Sequence, residues 1–502
     1  MSVSSVSNDI APLLQSVLSI DKQLTTLEQQ LGSGQKSQTY SGLGSQSGVA
    51  VALNAQLAAL TSYDDTITTA GTTIGLQQSV LQQIAQTASS VQAATVQQSG
   101  FAIDNSGQTT TQESGQSQLA QILTLLNSQD GNGYLFSGSA VNQPSVATVD
   151  QILNGNGAQA GLKQVIAERN QADLGADGLG RLVIPAASGT TVSVSEDAAN
   201  SPFGLKLASV NSSLTGATVT GPSGSPASIS VDLGASNPSD GDTITFTFTL
   251  PDGTTQNLQL QATTTSPPGA NQFTIGATPA ATAADLQAAL TAGVSQIGST
   301  SLSAASAMAA SNDFFGDPPQ RVSGNPATST SLVNGTSADT VMWYTGDNSS
   351  ASIRSSATAR IDPSTTVQYG TQANEQGIRW ILQNIAVLAA TTYSASDPDA
   401  SASYSALSQR VNAALLVPAG TQSISDIEAS LANAQSAMKS AQTQHQQTST
   451  VLTNLLQSIE GVNTTEVGAQ LLSLQTSLSA SLSTTARLSQ ISLLNYLAPA
   501  SA

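Results

Sequence analysis

Across 502 residues the chain carries 31 acidic and 13 basic side chains, a formal net charge of −18, with only 9% of residues charged against about 25% in ordinary globular proteins. That balance repels phosphate backbones and anionic headgroups, so nucleic-acid binding and attachment to acidic membranes are not expected. With no cysteine, neither disulfide nor thiolate chemistry is open to it.

The length suggests roughly three domains. The opening stretch "MSVSSVSNDIAPLLQSVLSIDKQL" has no basic region before its apolar residues and no small-residue cleavage site, so no cleaved signal peptide is expected. Leu13, Val17, Ile20, Leu24, Leu27 and Leu31 follow one another at alternating intervals of four and three, the seam of a coiled coil. Gly32 and Gly34 then end that helix. A second helix is predicted over about 49–98, with Leu53, Leu60, Ile67, Ile74, Leu81 and Ala88 seven residues apart and Leu57, Ile84 and Val91 widening the face. A third, near 113–128, presents Leu119, Ile122, Leu123 and Leu126.

From about 182 to 280 the pattern changes to short alternating runs broken by glycine and proline. In "DTITFTFTLPDGTTQNLQLQ" Ile244, Phe246, Phe248 and Leu250 share one strand face. Leu258 and Leu260 lie on the returning strand, and Asp252-Gly253 forms the turn. One helix follows at 282–297, and a second β-rich stretch is expected over about 330–370. "GIRWILQNIAVLAA" at 377–390 is too short and too polar to span a membrane and reads as an amphipathic helix. Two long helices close the chain. One runs from about 422 to 460 along Ile424, Ile427, Leu431, Ala434, Met438, Ala441, His445, Thr448, Leu452, Leu455 and Ile459. The last, at about 465–497, carries Val467, Leu471, Leu474, Leu478, Leu482, Leu488, Ile491 and Leu494.

The expected fold class is therefore α+β: a long coiled-coil-like helical bundle made by the N- and C-terminal segments, with an inserted β-rich outer domain. Its expected divisions are 1–45 and 46–181 (first helix, then rod), 182–325 (β-rich insertion), 326–370 (β-rich return), 371–461 (rod) and 462–502 (last helix). The expected self-assembly seam comprises Leu13, Val17, Ile20, Leu24, Leu27, Leu31, Val467, Leu471, Leu474, Leu478, Leu488, Ile491 and Leu494.

Chemistry is sparse. His445 is the sole histidine and sits inside a heptad stripe, so it reads as a polar seam residue rather than a metal ligand or base. Asp240 and Asp242 lack the spacing of a calcium loop and read as turn residues. "GNGYLFSGS" and "GNGAQAG" lack the lysine and the strand–loop–helix context of phosphate loops. Trp343, Tyr344 and Trp380 read as core anchors. No enzyme, catalytic residue, metal or cofactor is expected.

At both ends the chain resembles the bacterial flagellin superfamily, which includes flagellins and the hook–filament junction protein of the same family. "LTTLEQQLGSGQKSQTYSGLG" is similar to the family's first helix and the turn after it, here Leu31-Gly32-Ser33-Gly34-Gln35-Lys36. "GNGYLFSGSAVNQPSV" resembles the loop after its third helix, and "EVGAQLLSLQTSLSASLSTTARLSQISLLNYL" its C-terminal helix. "DTVMWYTGD…ANEQGIRWILQN" looks like a module of some alphaproteobacterial members. The family's arginine and asparagine after the first helix are not kept, since "SQTYSGLGSQSG" stands there, and "SLLNYL" is nearer to the junction-type ending.

The resemblance implies paired terminal helices in a helical homopolymer outside the cell and unfolded export through the flagellar type III apparatus with its chaperone. It also implies contact with neighbouring hook-associated proteins. A surface adhesin or surface-layer protein is the competing expectation, favoured by the Ser/Thr-rich β middle.

Overall fold

The structure is a computed structural model that describes residues 4–96, 101–131, 133–349 and 352–497. For 4–10, 13, 489 and 491–497 it gives the backbone alone. The class is α+β, with several long helices. The first half contributes α1 (Ser4–Ser33), α2 (Ser47–Val96), α3 (Thr110–Leu126), α4 (Val149–Asn154) and α5 (Leu162–Leu174). The middle holds β1 (Leu182–Val183), β2 (Thr191–Glu196), β3 (Lys206–Ser212), β4 (Thr218–Ser223), β5 (Ser228–Asp232), β6 (Thr243–Thr249), β7 (Thr255–Thr263) and β8 (Gln272–Thr274). These are followed by α6 (Pro279–Ile297), a π-helical turn at Gly298–Leu302, and α7 (Ser303–Phe314). Short strands β9 (Gln320–Val322), β10 (Leu332–Asn334), β11 (Thr358–Arg360) and β12 (Thr366–Gln368) lead to α8 (Gln376–Ala390), α9 (Ala400–Ala414), α10 (Ile424–Glu460) and α11 (Thr464–Leu497).

Two compact units divide the chain. One comprises 1–69, 359–367 and 436–502, and the other 70–358 and 368–435. The division falls inside α2 and α10 and within β11 and β12.

In the larger unit, β1–β8 form two four-stranded sheets in the orders β1-β2-β5-β4 and β3-β6-β7-β8. The alternation in "TITFTFT" does what its period demands. Ile244, Phe246 and Phe248 are fully buried while the threonines between them face away. Ile244 pairs with Leu260 and Phe246 with Leu258 across the hairpin turned at Asp252-Gly253, where Gly253 has φ 81°. Helix α6 packs on β7 and β8 and closes this core with Ala283, Leu286, Leu290 and Val294.

Helices α3, α5, α7, α8 and α9 form a second layer of the same unit. The α3 N-terminus is fixed by a capping box in which Thr109 and Gln112 satisfy each other's backbone N–H groups. Gln112 is itself buried and donates through Nε2 to Leu388 O and Thr391 O. An ion cluster lies between the helices. Arg169 Nε meets Asp173 Oδ2 at 2.9 Å, its Nη1 meets Asp313 Oδ2 at 2.5 Å, and its Nη2 donates to Pro202 O. The guanidinium stacks 5.1 Å from the Phe203 ring. Burial pushes both carboxyls above the usual range, with the Arg169 charge opposing.

Three expectations need correction. Helix α8 is enclosed on nearly every side rather than amphipathic, since Val387, Ala389, Gln383 and Asn384 are buried along with Ile378, Ile381, Leu382, Ile385 and Leu388. Among its described residues the 326–370 segment holds three strands of three residues each and two single 3-10 turns, at Pro326–Thr328 and Ile353–Ser356, joined by loops rich in Ser, Pro and Gly. Helix α7 lies inside the segment expected to be β-rich, while α4, α5 and α9 are helices of the rod segments that no heptad spacing marks; α5, "LKQVIAERNQADL", hides behind its polar sequence.

Candidate assembly surface

The smaller unit is built from the helical ends. Helices α1 and α11 pack along each other. Val17, Ile20, Leu24 and Leu27 of α1 and Leu471, Leu474 and Leu478 of α11 are half-buried in that contact, and Val467 is buried. Leu31 and Leu488 stand exposed. The side chains of Leu13, Ile491 and Leu494 lie outside the described residues. A two-helix pair covers only one side of each helix, so seven of the seam positions stop at half burial. Their outer faces carry further apolar side chains: Leu14 is 54% exposed, Leu18 55%, Leu472 66% and Leu482 52%. Between the helices runs an open groove of about 530 Å³ lined by Lys22, Gln23, Thr26, Leu27 and Gln30 from α1 and by Gln470, Ser473 and Leu474 from α11.

Beside this pair, the first turns of α2 meet the last turns of α10. Ala50, Leu53 and Ile459 are buried together, with Leu43, Leu452 and Leu456 against them. The α10 stripe slips relative to its expected register. Thr448 and Leu455 are exposed, while Ser449 and Leu456 take the inward positions. A straight helix of 3.6 residues per turn drifts against a 3.5-residue repeat, so a strict alternation carried over five heptads loses phase.

His445 occupies an inward position of α10 and is buried. Its Nδ1 lies 2.7 Å from Asp64 Oδ1 on α2, with the Tyr63 ring 6.1 Å away. The carboxylate is an acceptor, so Nδ1 carries the hydrogen when Asp64 is ionised. The sole histidine is thus a polar tie within a helix seam.

The two helical hairpins of this unit are joined at their turns. Gln35 bridges Gly461 in antiparallel fashion, Lys36 N donates to Glu460 O, and Val462 N donates to Gly34 O. Gly34, at φ 69°, supplies the left-handed backbone that lets the chain leave α1 and enter this bridge. The Lys36 ammonium donates to Ser458 O and Ile459 O, carbonyls of the last α10 turn that have no helical N–H to receive. The turn singled out in the sequence, Leu31 to Lys36, therefore caps a helix more than 400 residues further on.

No three histidine or acidic side chains among the described residues come together as a metal site, and no described helix is long and apolar enough to cross a membrane. Asp240 and Asp242 serve turns: Asp242 accepts from Thr215 N and Ser239 N, bonds that hold its carboxyl below the usual range, and Asp240 accepts from Thr264 N. The chemistry this surface offers is apolar and repetitive, suited to contact with other helices. Compared with known proteins, the chain matches no protein-family profile and no curated sequence.

Proposed function

We propose that the chain is a structural subunit of the bacterial flagellum, a flagellin that polymerises into the extracellular helical filament. One observation carries the reading. The N- and C-terminal helices pair along a heptad seam that their own contact leaves half-buried, and their outer faces expose Leu14, Leu18, Leu472 and Leu482. A row of apolar side chains on each side of a helix pair is a surface for further helices, and a contact repeated head-to-tail without closing builds a filament. The low charge density suits such packing, because a charge buried in every copy would cost desolvation each time.

Its partners are then other copies of itself, the hook-associated proteins at the filament ends, and an export chaperone that shields the terminal helices before assembly. A second reading, the junction protein between hook and filament, is favoured by the "SLLNYL" ending. Electron microscopy of a strain lacking this chain separates them: bare hooks support the filament reading, filaments shed into the medium support the junction reading, and normal filaments overturn both.

A further inference from the structure

The larger unit contains a small cavity that assembly does not use. It measures about 210 Å³ and is lined by Gly316, Asp317, Pro319, Met342, Trp343, Tyr344, Asn348 and Asn374. Its walls are largely aromatic and apolar. The Trp343 and Tyr344 rings lie 5.9 Å apart, and Trp343 is anchored through Nε1 to Phe315 O. A few polar groups converging in an apolar cavity are the usual make-up of a small-molecule site.

Those polar groups form a chain whose direction is fixed from one end. Asp317 Oδ2 is an acceptor, so Asn348 must turn its Nδ2 toward it, at 2.7 Å. Asn348 Oδ1 therefore faces the other way and accepts from Asn374 Nδ2, also at 2.7 Å. Asn374 Oδ1 is left as the terminal acceptor, buried and without a protein partner. Flipping either amide would set two donors or two acceptors against each other, so the free oxygen is a consequence of the network. A buried carbonyl oxygen without a donor is costly, and a ligand N–H removes that cost.

The charges around the cavity are acidic. Asp317 lines it, Tyr344 Oη donates to Asp347 O, and Glu375 follows Asn374 in sequence, its carboxylate paired with Arg354. Burial and then the carboxylates of Asp347, Asp317 and Glu375 push the Tyr344 hydroxyl above its ordinary range.

We propose that this cavity binds a small primary ammonium ion, with its N–H groups on Asn374 Oδ1 and its charge balanced by Asp317. Its carbon chain lies against Trp343, Tyr344 and Met342. Aromatic faces attract a desolvated cation, and a primary ammonium supplies in one group both that charge and an N–H for the orphaned oxygen. Asp317 is exposed at the cavity mouth, which gives the cation an entry path.

The test is a titration of the full chain followed by the Trp343 indole and Asn374 amide NMR signals at constant ionic strength. The probes are n-butylammonium, tetramethylammonium, 1-pentanol and potassium chloride. Saturable shifts with n-butylammonium, several-fold weaker with tetramethylammonium and absent with the alcohol and potassium, are expected. Asp317→Asn, on the surface, should weaken n-butylammonium binding several-fold, and Asn374→Asp should tighten it by a similar factor; dispersed NMR spectra report that each variant is folded. No saturable shift, an equal response to 1-pentanol or potassium, or unchanged binding in folded Asp317→Asn would overturn the proposal.

Discussion

The Lys36 ammonium lies 2.8 Å from the carbonyl oxygen of Ile459, at the end of a helix that begins nearly 400 residues further along the chain. It also donates to Ser458 O at 3.2 Å, so one cation closes two carbonyls that the α10 C-terminus would otherwise leave to water. Lys36→Met keeps the length of the side chain and removes the charge. It should lower stability by about 1 kcal/mol, within the range for a cation at a partly buried helix C-terminus. Thermal unfolding checks this: Lys36→Arg should recover most of the loss, and equal loss in both variants would show that fit at this turn matters and charge does not.

The Arg169 cluster gives a prediction with a sign in pH. Asp173 is fully buried and Asp313 nearly so, and Arg169 is their only charge partner among the described residues. Arg169→Ala at neutral pH leaves two buried carboxylates unpaired and should cost about 3–5 kcal/mol. Both carboxyls titrate above their unfolded range, which is near 3.9 for aspartate. Their folded forms hold protons more tightly, so the stability they allow is full below that value and falls as pH rises through the raised range. Without the arginine the raising is greater and the fall steeper. Urea unfolding at pH 7.5 and pH 4.5 should therefore show the deficit of the variant shrinking on acidification; a deficit independent of pH would mean that lost packing, not charge, accounts for it.

Excision of the β-rich module tests where the helical layer ends. Helix α7 packs on α5, α8 and α9, so a cut from 190 to 310 destroys a helix of that layer. The chain passes close to itself at Gly178 and Gly298, where a Cβ placed on Gly298 would lie 3.0 Å from Gly178 O. Replacing 179–297 with a short Gly/Ser link thus closes a small gap. That variant should unfold cooperatively at a lower temperature than the parent, since it loses Phe203 and the Pro202 carbonyl. The 190–310 excision should be insoluble or molten by near-UV circular dichroism. The reverse order of behaviour would contradict this division.

A smaller change probes the packing of that module. A Cβ on Gly293 of α6 would approach Leu258 Cδ1 to 2.7 Å. Gly293→Ala sets the helix propensity of alanine, worth about 1 kcal/mol, against overpacking of about 1–3 kcal/mol. Net destabilisation is expected in thermal melts, and Leu258→Val on the same background should relieve part of it. No relief would show that the close approach is not what costs stability.

How far these features were visible beforehand follows from the physics of each. Leu27 and Leu474 could be placed on facing seams because a 3,4 spacing fixes a helix face irrespective of the partner. The inward positions of Ser449 and Leu456 could not, because the drift of a helix against its repeat depends on how tightly it supercoils. Strands β6 and β7 were legible because their alternation and the Asp252-Gly253 turn agree. Helix α5 was not: its apolar residues are few, and Arg169 looks like a surface residue until Asp313, 144 positions away, is folded onto it. His445 was correctly placed in a stripe, but its partner Asp64 is 381 positions distant and no local pattern points to it. The same holds for the Asp317–Asn348–Asn374 chain, which two separate loops and the approach to α8 bring together.

The central claim is that the paired terminal helices are an assembly surface, and Leu474→Asp tests it most directly. Leu474 is half-buried against α1 and lines the groove with Leu27. A carboxylate there adds desolvation to lost apolar burial, a cost of several kcal/mol in a contact repeated in every copy. Purified parent and variant should be compared by sedimentation and negative-stain electron microscopy across a concentration series, with circular dichroism to show that both remain folded. The parent is expected to form filaments above a critical concentration, and the folded variant to stay soluble throughout. A parent that never polymerises, or a variant that does so at the same concentration, would contradict the assembly role of these helices.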